Sequence, residues 1–213
     1  MNIDDLFTKP KHTVWDDPVP IIISESGDIT AYISDQIDEA FVYNELCHKL
    51  RHAPVGSTAT IHLNTPGGYL HSAMMIIDAI KSSKATTVAH LTGTVASAGT
   101  IIALSCDELI VSEHLSFMIH NYSAGISGKG HEMKAQQEFS DKNLNTAFND
   151  FYAGFLTPEE MANIIDGKDM WLTSEETRIR WARRKATLAS TTPFETLAEV
   201  IETKRRGRPK KSQ

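Results

Sequence analysis

The stretch HLTGTVASAGTIIAL (90–104) sets a single serine, Ser97, among small residues directly after a β-like run. A hydroxyl at the start of a helix lies beside unpaired N–H groups and the positive end of the dipole, surroundings that favour a developing oxyanion. Ala96, Ala98 and Gly99 leave room there for an extended backbone. Upstream, NTPGG (64–68) ends a strand pattern and leads into a helix. Its glycines tolerate positive φ and close approach, so their amides can face a ligand. Downstream, SFMIH (116–120) ends on His120, ahead of the glycine- and serine-containing NYSAGISGKG (121–130). A histidine within about 3 Å of a serine hydroxyl can take its proton. Nucleophile, base and amide donors are the parts of serine acyl transfer. Each has an ordinary reading by itself: Ser97 as a cap or packing serine, NTPGG as a plain turn, His120 as one of nine histidines. The nucleophile elbow G-x-S-x-G is not met, because position 95 is Val.

In this order and with these gaps, NTPGG, GTVASAGT and FMIH resemble the proteolytic subunit of the Clp protease family. There the corresponding segments are a strand ending in N-S-P-G-G, a nucleophile segment near G-x-A-A-S-M-G-A, and M-I-H. The resemblance runs from about Ile29 to Thr173. It implies an α/β fold of the ClpP/crotonase type, built from repeated β-β-α units, with a protruding helix for oligomer contacts. Ser97 is then the nucleophile and His120 the base. The family's third residue is an aspartate followed by any residue, an aromatic, an aliphatic and Ser or Thr. DMWLT matches it at Asp169, with the common basic residue before it as Lys168; Asp166 is the near competitor. The backbone N–H groups of Gly68 and Ala98 match the family's oxyanion hole. An extended substrate would lie between Tyr69 and Leu70 on one side and Tyr122, Ser123, Ala124 and Gly125 on the other, a form of β-addition.

The implied activity is that of a self-compartmentalising serine endopeptidase, a homo-oligomeric ring cutting proteins and peptides. It would be fed by an ATP-driven AAA+ unfoldase and would use no cofactor or metal. Departures from the family are local. NYSAGISGKG stands where Gln-Pro and paired glycines are usual, and the charged EETRIRWARRKATL follows Thr173. Alternatives of other kinds are a phage capsid (prohead) maturation protease of the same superfamily and a non-proteolytic, DNA-tethered assembly protein. Signal-peptide peptidases need a lysine base and crotonases lack Ser-His-Asp, so neither fits as well.

Alternating patterns must position these residues. Strands are expected at 21–24, 29–33, 58–64, 86–91, 108–112 and 116–120, with helices at 39–52, 73–83, from Ser97 to about 105, at 130–155, at 157–165 and from Thr173 onward. TTPFETLAEVIE (191–202) carries a further helix start signal. Strands alternating with helices argue for mostly parallel pairing. The expected organisation is a flexible arm (1–19), a peptidase domain (20–202, its part 174–202 divergent and helical) and a basic tail (203–213).

With 213 residues, 41% apolar and 23% charged, the chain fits one sizeable domain. No apolar run reaches the ~20 residues of a membrane span, and the acidic, mixed N-terminus does not read as a signal peptide. Cys47 and Cys106 form no disulfide framework, so a reducing, cytoplasmic setting is expected, or host cytoplasm or prohead for a viral member. Six positive charges fall in the last ten residues; without them the net charge of −6 becomes −12. In that tail Arg206, Gly207, Arg208 and Pro209 resemble an AT-hook core, whose arginines can enter a narrow A·T minor groove.

Overall fold

The computed structural model describes residues 17–191 other than 124 and 126. Residues 1–16 of the N-terminal arm, Ala124, TTPFETLAEVIE beyond Thr191 and the tail with Arg206, Gly207, Arg208 and Pro209 lie outside the described residues. Strand β1 (Ile21–Ile23) pairs antiparallel with β2 (Ile29–Ile33). From there β2, β3 (Thr58–Thr65) and β4 (Thr86–Ala96) run parallel in register, Ala31 beside Ile61 and Ile61 beside Ala89. Crossovers through α1 (Asn44–Arg51) and α2 (Leu70–Ser82) make this possible, since parallel neighbours cannot be joined by a tight turn. The seven-stranded sheet has the order β1-β2-β3-β4-β6-β7, with β6 at Ser116–Ile119 and β7 at Met170–Thr173, and β5 (Glu108–Val111) also pairs with β4. Period-two alternation assigns its faces: Ile29, Ala31, Ile33, Ala59, Ile61 and Leu63 are buried, whereas the rings of Tyr32, His62 and His90 stack along the other face. None of the described helices is long and apolar enough to cross a membrane.

Strand β4 runs five residues past the expected end at Leu91, and it forks the sheet. Leu63 faces Leu91 but Thr65 faces Val95, so β4 carries two residues more than β3 between those pairs. The irregularity centres on Gly93, whose φ is 57° and where a Cβ would lie 2.6 Å from Asn64 Oδ1. Asn64 Oδ1 accepts from the Thr94 N–H at 3.1 Å and steadies the kink. Before the kink β4 pairs with β5 (Glu108–Val111); after it, on the same edge, with β6 (Ser116–Ile119). A glycine that reads as a break is therefore a bend that re-aims the strand.

Helix α3 (Ala98–Ser105) is buried from Ala98 to Leu104, which explains its nearly uninterrupted apolar sequence. Helix α4 spans Gly130–Tyr152, α5 Pro158–Ile165 and α6 Ser174–Thr191. Strand β7 (Met170–Thr173), unanticipated as a strand, closes the sheet antiparallel to β6. The charged run of α6 has a packing role. Arg180, Arg183 and Arg184 donate to the carbonyls of Phe155, Gly154 and Phe151, which the end of α4 and the turn beyond it leave without helical partners.

Arg180 also grips Glu160 of α5 through two bonds, 2.8 and 2.6 Å long. This guanidinium pulls the Glu160 carboxyl from its ordinary 4.5 down to about 2. A depressed folded-state pKa stabilises above the unfolded value and is lost as pH falls through the folded one. Because 23% of the Glu160 side-chain surface stays exposed, Glu160→Gln should cost about 1–2 kcal/mol at pH 7, less than the full shift implies. Urea unfolding at stepped pH should show this difference shrinking as pH falls from 4.5 toward about 2.

Candidate active site

One residue joins β4 to α3, and it is Ser97. Its φ and ψ are 52° and −126°, and it is the one non-glycine residue at positive φ among the described residues. Such a conformation costs of the order of 1–3 kcal/mol and persists only where neighbours over-determine it. Here they do. The Ser97 N–H continues the β4–β6 ladder by donating to Met118 O at 2.9 Å. The Ser97 carbonyl accepts from the Thr100 N–H at 2.9 Å and from Thr100 Oγ1 at 2.7 Å. Held this way, Ser97 Oγ lies 2.7 Å from His120 Nε2, just past the end of β6. A serine hydroxyl donating there requires a bare Nε2, which places the imidazole proton on Nδ1.

The NTPGG turn lies against this junction. Gly67 has φ 96°, and a Cβ on it would sit 2.5 Å from Ser97 Cβ and 2.8 Å from Ala96 O. No other residue type permits that approach. A parallel bridge fixes the turn: Ile37 N–H donates to Gly67 O at 2.7 Å, and Tyr69 N–H to Ile37 O at 2.9 Å. Between them the Gly68 N–H has no backbone acceptor among the described residues. Ala98 is the first residue of α3, so its N–H has no acceptor four residues back in the helix. Two unpaired amides thus flank the serine, and the α3 dipole adds positive potential.

A cavity of about 250 Å³ opens beside Ser97 and His120, with Leu70, Ile101, Leu144, Phe148 and Tyr152 in its walls. The residues after the turn divide. Tyr69 uses its N–H on Ile37 O and its carbonyl on the Ala73 N–H. Leu70 begins α2 rather than extending a strand, so its first-turn amide has no acceptor four residues back in the helix. Across the cleft, Asn121, Tyr122, Ser123 and Gly125 form no regular strand. Tyr122 is tied to α4: its hydroxyl donates to Asp141, and Gln137 Nε2 donates to both groups, at 3.1 and 2.8 Å. The bond to Asp141 raises the Tyr122 phenol pKa and lowers that of the Asp141 carboxyl.

Asp169 directly precedes β7. The antiparallel register runs from Ser116↔Thr173 to Ile119↔Met170, where the pairing ends, and His120 and Asp169 are the next residues along the two chains. Asp166 lies three residues earlier, capping the C-terminus of α5. Among the described residues no hydrogen bond joins Asp169 to His120, so the Ser97–His120 link is formed and an Asp169–His120 link is not. Sequence reasoning missed Thr100 and Tyr152, whose hydroxyls meet at 2.6 Å. A threonine three residues after a helix-starting serine is a weak signal for a carbonyl clamp. Tyr152 had no signal, because its partner lies 52 positions away.

Comparison with known proteins is consistent with this arrangement. The sequence model of a family described as Clp protease matches residues 22–179. The ATP-dependent Clp protease proteolytic subunit 2 of Pseudomonas aeruginosa is 29% identical over 119 residues, 54% of this chain and 58% of that protein. Proteolytic subunit 1 of Chlamydia caviae is 24% identical over 140 residues, 64% of this chain and 70% of that protein. Proteolytic subunit 3 of Rhizobium etli is 30% identical over 122 residues, 55% of this chain and 62% of that protein. The matches cover between 58% and 70% of the length of these curated relatives.

The Gly67 contact makes a direct test of the junction. Gly67→Ala should displace Ser97 and lower its reaction rate with a fluorophosphonate by about 10²-fold. The protein should melt earlier, with far-UV circular dichroism unchanged at 20 °C; mass spectrometry of the adduct reads the rate.

Proposed function

The chain belongs to the Clp protease family, and on that premise we propose that it is a serine endopeptidase with Ser97 as nucleophile and His120 as general base. The observation that carries this reading is the 2.7 Å contact between Ser97 Oγ and His120 Nε2 on a strained, helix-initiating turn. Ser97 Oγ attacks the scissile carbonyl as its proton passes to His120. The tetrahedral oxyanion lies between the N–H groups of Gly68 and Ala98, each worth about 3 kcal/mol to the transition state. His120 returns the proton to the leaving amine, and water then releases the acyl group by the reverse sequence. Asp169, next after Met170 at the end of the β6–β7 pairing as His120 is next after Ile119, orients the imidazole once its carboxylate turns to Nδ1–H. The apolar cavity accepts the side chain preceding the scissile bond, so cleavage favours an apolar residue there.

Assembly and partners follow the same reading. The relatives are named as proteolytic subunits of ATP-dependent proteases, which supports a homo-oligomeric ring fed by an AAA+ unfoldase. Helix α4 supports the oligomer by exposing Met133 and Phe139. The Arg-Gly-Arg-Pro core of the tail supports a separate contact with A·T-rich DNA.

Ser97→Ala should abolish peptide cleavage and fluorophosphonate labelling with the melting temperature unchanged; undiminished labelling would falsify the assignment. Asp169→Asn should lower kcat by about 10³–10⁴-fold, while Asp166→Asn leaves it near wild type; the opposite pattern would exchange their roles. For the tail, band shifts on A·T-rich duplex across a salt series should weaken with Arg208→Ala, and equal binding would reject the DNA contact.

A further inference from the structure

We infer that Thr100 and Tyr152 are positioning residues that lock, from behind, the peptide plane whose N–H is the Ala98 oxyanion donor. The inference rests on the acyl-transfer reading, with Gly68 and Ala98 as the donor amides. A peptide group is planar, so whatever fixes its carbonyl fixes the direction of its N–H. The N–H of Ala98 belongs to the same plane as the carbonyl of Ser97. That carbonyl is held by two donors from one residue, the Thr100 N–H at 2.9 Å and Thr100 Oγ1 at 2.7 Å. The other donor is arranged in the same way. The N–H of Gly68 shares its plane with the Gly67 carbonyl, which accepts from the Ile37 N–H at 2.7 Å. One lock is therefore made wholly by backbone, whereas the other adds a side-chain hydroxyl to a backbone bond.

Proton counting sets the direction of that second lock. The Thr100 hydroxyl has one proton and gives it to Ser97 O, so at 2.6 Å the Tyr152 hydroxyl must be the donor to Thr100 Oγ1. The relay runs from the Tyr152 phenol through the Thr100 hydroxyl to the Ser97 carbonyl, and across the peptide to the Ala98 N–H. Hydrogen bonds in such a chain polarise one another, so a carbonyl that accepts two of them leaves a stronger donor at its nitrogen. Thr100 is fully buried and Tyr152 is 1% exposed, so bulk water cannot replace either hydroxyl. Burial also pushes the Tyr152 phenol pKa well up, which keeps it a donor.

The strain at Ser97 gives the lock its purpose. Rotating the Ser97–Ala98 peptide would exchange the directions of its carbonyl and N–H, and an acceptor would then face the developing oxyanion. The relay holds the carbonyl on the protein side of the plane and so opposes that rotation. It also ties the nucleophile to the end of α4, where the α6 arginines hold the carbonyls of Phe151 and Phe155.

The test uses the full chain, a peptide substrate with an apolar residue before the scissile bond, and a matching peptide boronate. The tetrahedral boronate adduct places an oxygen between the two amides. Thr100→Val should lower kcat/KM and boronate affinity together by about 10–100-fold, with KM near wild type. Thr100→Ser, which restores the hydroxyl, should recover most of both, and Tyr152→Phe should lose about tenfold. A merely structural role would reduce thermal stability in the Val and Ser variants alike and leave boronate affinity unchanged, and that result would overturn the inference. If Thr100→Val does not fold, Tyr152→Phe decides by the same readouts. A wild-type protein whose Ser97 takes no label overturns the acyl-transfer reading and the relay together. Normal labelling of wild type with an unaffected Thr100→Val overturns the relay alone.

Discussion

The site depends on one backbone conformation, the positive φ of Ser97 at a single-residue junction between a strand and a helix. An L-residue avoids that region because its Cβ crowds the neighbouring peptide groups, so the conformation has to be imposed from outside. The sheet imposes it on one side, through the ladder bond from Ser97 N–H to Met118 O. The first turn of α3 imposes it on the other, through Thr100. Gly67 packs its backbone so close that a Cβ there would lie 2.5 Å from the Ser97 Cβ. A strain of the order of a kcal/mol or two is thus set against several hydrogen bonds worth about 1 kcal/mol each.

Support for that junction extends to the far end of the molecule. The arginines of α6 donate to carbonyls at and beyond the end of α4, Tyr152 closes α4 against Thr100, and Thr100 holds Ser97. Phe117 of β6 packs on Phe155 at 5.7 Å, so the strand that leads to His120 and the end of α4 share one apolar contact. Ser97 and the strand leading to His120 are therefore both braced by buried side chains at or just beyond the end of α4. Their spacing follows from interior packing, which tolerates little volume change, and not from a flexible loop.

The chemistry was legible in the sequence where it is local. Small residues around Ser97, paired glycines at 67 and 68 and a histidine closing an apolar strand each leave a short-range signature. The alternation of strands and helices announced the parallel sheet for the same reason. What depends on distant partners was not legible. Gly93 reads as a break because Asn64, which accommodates its kink, lies on another strand. Strand β7 is four residues long and owes its form to β6. The charge run of α6 stands out in the sequence only as a departure from the family, because its targets are main-chain carbonyls, which carry no sequence signature. The positive φ of Ser97 was hidden too, since serine gives no hint of a conformation that glycine would advertise.

The pairing of β6 with β7 has a consequence in time as well as in space. It joins Ser116 to Thr173 across the whole of α4 and α5, a long-range closure of the kind that forms slowly because much chain entropy must be lost first. On the ribosome, Ser97 and His120 emerge well before the strand that carries Asp169 to its place. With Asp169 in its proposed role, a nascent or truncated chain ending short of β7 would hold a serine and a histidine but not the complete set. If the proposed activity holds, topology alone would then keep an unfinished chain from acting on its neighbours during synthesis.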